Sequence, residues 1–580
     1  MTLKINGQKI IGQSGQTILE IARQNGIKIP SLCSHPDLSV KANCRICVVE
    51  IKNRAHLATA CSTLAEEGME ISTDSPRVKK ARRLNIELLF AAHTQRCADC
   101  LTRYNCELLN LARRYQVNTA RFKNRKSQRR TYRFAKAVEI DGTQCIDCQN
   151  CLEACDRQGI NYLKMTGQGI NQEIVPVKDK KIACVYCGQC TNACPVGAAQ
   201  EQQATQDVEK IIKDKTKIVV AQFAPAVRVS LGEEFGLPYG TNCEGKIYTA
   251  LKKLGFNYVF DVNFGADIIT MTEVEEFLER LNNKKAVLPM MTSCCPAWVA
   301  YVEFYHPELI PNLTTARSPH IHLAGTIKTY FAKKKKIDPR KIYVVSIVPC
   351  TAKKYEAARP ELSLKGRSLV DYVLTTRELA YLIKKNNLDF KKLPASGGEK
   401  LFNAGSGAAA IYGATGGVME SALRSAASFL CEKGKNPLDD KNLEFKEVRG
   451  LAGLKEASLT ISGRKLSVGV VNGLGNFSKV LPRLKKYHYL EVMACPGGCL
   501  GGGGQPIPTT KAIREARSQG IYKIDQKRAV RRAHENKTMV AYYNWVKDNH
   551  LSAQILHTKF KPSQGSTLTT AKRKKEPNFY

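Results

Sequence analysis

Cysteine spacing constrains this chain more than any other feature. Of its 22 cysteines, all but Cys243 and Cys431 fall in tight motifs. Thiols two residues apart, with one histidine among them, are spaced to reach a common metal centre, so ligand sets outweigh a disulfide framework. Cys243 and Cys431 read as structural thiols. The loop Glu491-Val492-Met493-Ala494-Cys495-Pro496-Gly497-Gly498-Cys499-Leu500-Gly501-Gly502-Gly503-Gly504-Gln505-Pro506 is the most specialised stretch. It can deliver two thiolates from a backbone that glycine lets pass close to a bulky group. A flexible linker with two structural cysteines is the plainer alternative, disfavoured by the apolar residues before it and the Gln-Pro after it.

A chain of 580 residues is too long for one core and predicts several domains. No apolar run reaches the ~18 residues of a membrane span, and the start Met1-Thr2-Leu3-Lys4-Ile5-Asn6-Gly7 lacks the apolar heart of a secretory signal. A cytoplasmic protein is expected. The formal charge of +37 points to an acidic partner, although clusters and deprotonated thiolates would offset part of it. The densest basic run, Arg121 to Arg130, lies between cysteine motifs, where a solvated linker is favoured over nucleic-acid binding.

The N-terminal segment begins with short alternating stretches, Leu3 to Ile5 and Lys9 to Ile11, followed by Cys33, Cys44, Cys47 and Cys61 in the pattern Cys-x10-Cys-x2-Cys-x13-Cys. A four-cysteine zinc site and a 2Fe-2S cluster both fit. A helix is expected from Pro76 to Phe90, and then His93, Cys97, Cys100 and Cys106 offer one imidazole and three thiols, suited to zinc or to a 4Fe-4S cube. Next, Cys145, Cys148, Cys151 and Cys155 are repeated by Cys184, Cys187, Cys190 and Cys194-Pro195, the bacterial ferredoxin run twice over. In such runs the fourth cysteine serves the other cluster, which groups Cys145, Cys148 and Cys151 with Cys194, and Cys184, Cys187 and Cys190 with Cys155.

From Ile218 the chain alternates short apolar strands with helices: Ile218-Val219-Val220, Tyr258-Val259-Phe260, Ala286-Val287-Leu288, Ile342 to Val345 and Val468 to Val471. This predicts an α/β domain with largely parallel strands, whose ligands gather at the carboxyl ends. Thr272-Glu273-Val274-Glu275 reads as a capping box opening a helix with an apolar stripe of Val274, Phe277, Leu278 and Leu281. Glu273, Glu276 and Arg280 share one flank, in the plain reading an exposed ion pair worth ~0.3 kcal/mol. Gly473-Leu474-Gly475 lacks a third glycine and no Walker loop occurs, so NADH would need another subunit. Ala512 to Ala516 and Val540 to Val546 mark basic helices.

Three motifs in order, Thr292-Ser293-Cys294-Cys295-Pro296-Ala297-Trp298, Val348-Pro349-Cys350-Thr351-Ala352-Lys353-Lys354-Tyr355-Glu356 and the Cys495 loop, resemble the signatures of iron-only (FeFe) hydrogenases, at full strength from Ile218 to Pro506. The N-terminal four-cysteine segment resembles the 2Fe-2S domain of the respiratory NADH dehydrogenase large subunit, and the His93 set the histidine-ligated cube of large hydrogenases. The resemblance implies a multidomain α/β protein: a β-grasp 2Fe-2S domain (1–77), a His/Cys-ligated 4Fe-4S domain (78–117), a basic linker (118–137), a double 4Fe-4S ferredoxin domain (138–207), a two-lobed catalytic domain (208–506), small-subunit-like helices (507–555) and a disordered tail (556–580).

It further implies one 2Fe-2S cluster, three accessory 4Fe-4S clusters and an H-cluster, in which Cys295, Cys350, Cys495 and Cys499 hold a cube and Cys499 bridges to a two-iron subsite carrying carbon monoxide and cyanide. Lys353, the turn at Ala224 and Pro225, and Met493 would face that subsite, as would Val348 and His320, which stand where methionine and glutamine are usual. Protons would move from Cys294 through Glu273, Thr314 and Glu276 to Arg280, with Thr314 in place of the usual serine. The implied reaction is reversible oxidation of molecular hydrogen to protons and electrons, with an acidic ferredoxin or NADH-linked partner subunits as carrier and maturation proteins to build the centre. A non-enzymatic iron-sulfur assembly protein would not need Cys294 or the Gly501 to Gln505 loop, and an electron-entry subunit of an NADH or formate dehydrogenase would lack all three downstream motifs.

Overall fold

The computed structural model describes residues 1–93, 97–126, 128–402, 405–430, 444–461, 463–563, 565 and 568–571. Cys431 and the basic run 572–575 lie outside them. At the N-terminus, strands Thr2–Ile5, Gln8–Ile11, Val48–Ile51, Ala58–Thr59 and Glu70–Ser72 form a mixed sheet. Helix Ile18–Gln24 packs Ile18, Ile21 and Ala22 into its core and is opened by a reciprocal Thr17–Glu20 capping box. The expected helix runs Pro76–Ala91, with Pro76 in its first turn, where a missing N–H costs nothing. Its buried Arg82 donates to the Ile46 and Val48 carbonyls at 3.0 and 2.8 Å, fixing the helix to the Cys44–Cys47 loop.

The catalytic region contains two four-stranded sheets. Tyr258–Asp261, Ile218–Phe223, Ile342–Val348 and Tyr372–Thr375 lie parallel in that spatial order. In the second sheet Met290–Met291, Tyr489–Met493 and Arg464–Asn472 are parallel, and Leu454–Ile461 closes one edge antiparallel. Strands buried by helices on both faces tolerate continuous Val/Ile runs, which is how Ile342–Val348 reads. All three cysteine motifs of this region begin just past the carboxyl ends of Met290–Met291, Ile342–Val348 and Tyr489–Met493.

Four sequence expectations are corrected. Residues 286–288 are not a strand: Pro289 offers no N–H to a ladder, Val287 is exposed, and pairing begins at Met290. Thr272 and Glu273 do not open a helix but lie inside Asn263–Asn282, where the Thr272 hydroxyl bonds back to the Ile268 carbonyl at 3.0 Å. The segment 118–137 is no solvated linker, because the buried Lys126 donates to the Cys145 carbonyl at 2.6 Å, Arg129 pairs with Asp147, and Thr131–Phe134 pairs with Val138–Asp141. The described residues of the tail, 556–563, 565 and 568–571, are anchored rather than disordered: Thr558 N donates to Thr315 O at 2.8 Å, Ser563 N to Glu303 O at 2.8 Å, and Leu568–Ala571 pairs antiparallel with Thr131–Phe134. A polar, low-complexity tail gave no sign of these partners, which are distant in sequence.

Helices Lys511–Lys527 and Lys537–Asp548 pack on the catalytic region, Met539, Tyr542, Tyr543 and Val546 sharing a core with Phe260, Phe264 and Phe331. No helix of the described residues is long and apolar enough to cross a membrane. One ion cluster secures the first of these helices: the fully buried Arg424 donates to Glu420 at 2.7 Å and to Asp525 at 2.8 Å. Arg424→Leu strands two buried carboxylates against Arg449 and Arg531 alone, so a loss of about 3 kcal/mol is expected, read as a Tm drop of several degrees with cluster content retained.

Candidate metal centre and proton route

Cys295, Cys350, Cys495 and Cys499 converge on one cavity of about 80 Å³, which Cys294, Lys353, Ala224, Pro225, His320, Val348 and Met493 also line. A water needs roughly 10–15 Å³ of such space, so the cavity suits a multi-atom group rather than one metal ion. Burial pushes the Cys350 and Cys499 thiols up to about 12 and Cys495 well above its ordinary value. In that setting a thiolate forms only against a strong positive centre, as a cluster iron would be. Four thiols around an apolar cavity fit an iron-sulfur cube joined to a further group.

Gly498 and Gly502 line the cavity as expected, and the loop glycines have a second use. A Cβ on Gly502 would lie 2.2 Å from the Pro349 carbonyl oxygen, and one on Gly503 would lie 2.6 Å from the Gly188 Cα. They permit backbone-on-backbone packing between this loop, the Cys350 motif and the second ferredoxin run. Side chains then lock the joint: Asn192 donates to the Gly501 and Gly502 carbonyls at 3.0 and 2.9 Å, and Thr191 to that of Gly503 at 2.5 Å. Arg377, buried, donates to Gly503 O at 2.6 Å, Gln505 O at 2.9 Å and Glu201 at 2.5 Å. Neither Arg377 nor Glu201 carried a sequence signal, since each lies in an ordinary charged segment.

The accessory thiols form four further groups. Cys33, Cys44, Cys47 and Cys61 are all buried, with Cys44 N donating to Cys33 Sγ at 3.4 Å and Cys47 Sγ 3.3 Å from Cys61 Sγ. The charge of Cys194 acts on Cys145, Cys148 and Cys151, and that of Cys155 on Cys184, Cys187 and Cys190. Cys187 also feels Cys350 and Cys295, which puts the second ferredoxin run beside the catalytic cavity. Cys97, Cys100 and Cys106 gather in one turn-rich segment. His93 is buried, and its Nδ1 lies 2.9 Å from the Gln144 carbonyl, which can only accept; the proton sits on Nδ1 and Nε2 keeps its lone pair for a metal. Asn43 donates to the Asp147 carbonyl at 2.6 Å, so the Cys44 and His93 segments both abut the Cys145 run. Cys243 is a buried thiol in an apolar cluster.

Lys353 donates to the Cys294 carbonyl at 3.0 Å and to Glu356 at 2.8 Å. Although burial opposes both charges, the pair holds Lys353 above and Glu356 below its ordinary value, Glu356 at about 2. His320 completes the group, its Nε2 2.6 Å from Glu356 and its Nδ1 3.1 Å from the Ser346 hydroxyl. Glu356 was not singled out in the sequence; its spacing three residues after Lys353 was the available signal.

Of the expected proton route, Thr314, Glu276 and Arg280 form one bonded chain: the Thr314 hydroxyl donates to Glu276 Oε2 at 2.8 Å and Arg280 to Oε1 at 2.5 Å. Glu273 is fully buried, accepts from the Tyr489 hydroxyl at 3.0 Å, and leaves Oε1 without a partner among the described residues. No direct hydrogen bond joins Glu273 to Thr314 among the described residues. Burial, with Glu276 and Glu491 adding negative charge, pushes the Glu273 carboxyl up to about 8. Burial and the Glu273 charge also push the Cys294 thiol well above its ordinary value, so it is harder to ionise than a free cysteine.

These features define an iron-sulfur oxidoreductase, and the chain belongs to the iron-only hydrogenases. The model "Iron only hydrogenase large subunit, C-terminal domain" matches residues 217–503, a 2Fe-2S iron-sulfur cluster binding domain 1–76, a 4Fe-4S dicluster domain 144–198 and "Iron hydrogenase small subunit" 511–563. The chain is 38% identical to the NADP-reducing hydrogenase subunit HndD of Solidesulfovibrio fructosivorans, over 97% of this chain and 98% of that protein. It is 39% identical to iron hydrogenase 1 of Clostridium pasteurianum, over 97% of this chain and 100% of that protein. A solved apo [FeFe]-hydrogenase of Chlamydomonas reinhardtii superposes with a TM-score of 0.54 at 36% identity, covering 62% of this chain and 99% of its own.

The Glu273 carboxyl links the site to stability. Its folded value of about 8 lies above the ordinary 4.5, so between these limits the folded state keeps a proton that the unfolded state has lost. Stability from this group is complete below pH 4.5 and falls as pH rises to about 8, by up to ~1.4 kcal/mol per unit. Glu273→Gln should flatten that part of the Tm–pH profile; an unchanged profile contradicts the burial of an ionisable group here.

Proposed function

We propose that the chain catalyses the reversible oxidation of molecular hydrogen to protons and electrons. The observation that carries this reading is the convergence of Cys295, Cys350, Cys495 and Cys499 on one apolar cavity that also receives Cys294 and Lys353. Those four thiolates would hold an iron-sulfur cube joined to a further iron group in the same cavity. When bound, that group supplies an open metal position and a neighbouring base for hydrogen splitting. Lys353, fixed by Glu356, places an ammonium against its negatively charged ligands, while Ala224, Pro225, Val348 and Met493 exclude water from it.

Cys294 exchanges protons with the site as a neutral thiol and hands them to the unpartnered Glu273 Oε1, after which Thr314 and Glu276, the latter held in place by Arg280, carry the route outward. Cys184, Cys187, Cys190 and Cys155 would hold one cube beside the cavity and Cys145, Cys148, Cys151 and Cys194 a second. Cys33, Cys44, Cys47 and Cys61 would hold a 2Fe-2S cluster and His93, Cys97, Cys100 and Cys106 a further cube, these groups supplying electron transfer when bound. Their carrier is an acidic ferredoxin or a nicotinamide-handling partner subunit, the second favoured by the NADP-reducing relative.

Two measurements test this. Fully matured protein should contain about 20 irons per chain and show infrared bands of metal-bound carbon monoxide and cyanide; a saturated value near four irons with zinc present sinks the wiring. Cys294→Ala should keep every cluster yet lose ~100-fold or more in hydrogen turnover, with Cys294→Asp recovering part of it. Parent-like activity of Cys294→Ala at full cofactor content removes Cys294 from the route, and loss of the active-site cube makes it a ligand instead.

A further inference from the structure

The inner route ends on a carboxylate oxygen with no capacity left. Glu276 Oε2 accepts from the Thr314 hydroxyl at 2.8 Å and from the Thr315 amide and hydroxyl, both at 2.9 Å, while Oε1 takes the Arg280 guanidinium at 2.5 Å. Three donors crowd Oε2, so water reaches the oxygen that Thr314 contacts only by displacing one of them. Arg280 is no outlet, because a guanidinium stays protonated in proteins and its other N–H groups are held by the Pro311 and Leu313 carbonyls at 3.1 and 2.9 Å. A relay needs a terminal group that gains and loses a proton near neutral pH.

His557 occupies that position. Its Nδ1 lies 2.8 Å from the Thr315 hydroxyl, whose hydrogen is committed to Glu276, so the imidazole is the donor and carries its proton on Nδ1. The ring is half-buried, and Nε2 makes no hydrogen bond to the protein among the described residues. Backbone contacts fix it: Arg317 N donates to Leu556 O at 2.9 Å, Arg317 Nε to His557 O at 2.8 Å, and Thr558 N to Thr315 O at 2.8 Å. Burial and Arg317 favour the neutral imidazole, whereas Glu275, Glu276 and Glu279 of helix Asn263–Asn282 favour its protonation; the net direction is below the ordinary histidine value. Tyr543 and Lys547, on the neighbouring helix, are engaged by Glu275.

We infer that His557 is the residue through which the Glu276 route exchanges protons with solvent, bridged by the Thr315 hydroxyl. This rests on the proposed role of Glu276. For an inward proton, water protonates Nε2, Nδ1 passes its proton to Thr315 Oγ, and the hydroxyl hydrogen passes to Glu276 Oε2. One proton enters the ring and one leaves it, so the charges balance and no electron moves; the outward direction reverses each step. His557 acts through Glu276 and touches no reacting atom, which makes it a positioning and relay residue.

The test uses matured full-length protein and His557→Asn, whose amide N–H replaces Nδ1–H towards Thr315 but exchanges no proton. Hydrogen turnover at pH 7 should fall ~10-fold with Tm and iron content unchanged, the acidic limb of the pH profile should shift, and added imidazole should restore rate, more fully in the roomier His557→Ala. A parent-like rate and pH profile for His557→Asn overturns the inference, and so does a lost rate that imidazole leaves unrestored. Glu276→Gln separates the two levels: if it is inactive while His557→Asn is parent-like, only the His557 assignment falls, whereas parent-like activity of Glu276→Gln removes the route itself.

Discussion

The buried guanidinium of Arg377 holds the protein's two halves in register. It binds Glu201, Thr191 and Asn192 of the ferredoxin-like part and the Gly503 and Gln505 carbonyls of the catalytic loop. A charge so deeply buried is tolerable only because its donors are matched, Glu201 being held below its ordinary value despite burial. Around it the glycines of residues 501–504 remove every side chain that would wedge the halves apart. Electron transfer falls steeply with distance, so this closeness of the second ferredoxin run to the cavity is a functional quantity. The basic, glutamate-containing segments that supply it look unremarkable in isolation.

The cavity wall sorts ionisable groups by environment. Glu356 faces Lys353 and His320 and stays ionised, whereas Glu273 has one hydroxyl donor and two acidic neighbours and keeps its proton into the neutral range. Two carboxylates near one cavity are thereby held in different states, Glu356 as a fixed counter-charge to Lys353 and Glu273 with its proton retained. Burial also raises Glu491, to about 7, although the Gly416 and Met419 amides that it accepts from oppose the shift, and its charge bears on Glu273.

The C-terminal strap reaches both functional regions. His557 and Thr558 lie on the segment 315–317 beside the proton route, and Leu568–Ala571 adds a fourth strand to the ferredoxin-like sheet. The described residues of this segment therefore contact the 315–317 segment and the ferredoxin-like sheet alike. The segment's polar composition concealed this, because its anchors are main-chain bonds available to almost any sequence.

Local chemistry was legible from the sequence: thiol spacing marked every cysteine group, apolar alternation marked the parallel strands, and the motifs past Met291, Val348 and Met493 marked the cavity. Val274 and Phe277 of the predicted apolar stripe are indeed core residues. What failed was local inference with a distant cause. Thr272 looked like a cap because Thr-x-x-Glu-like spacing is a local signal, but packing of Ala266, Ile268 and Ile269 extends the helix back to Asn263. The Lys126 and Arg129 cations looked solvated until Asp147 folded back on them. Sequence by itself determined which atoms can bind metal and which residues can form strands, since those depend on covalent spacing and side-chain type. Only the tertiary structure decided which charges are buried, what neutralises them and where a proton leaves, because desolvation and hydrogen bonding are set by neighbours far apart in the chain.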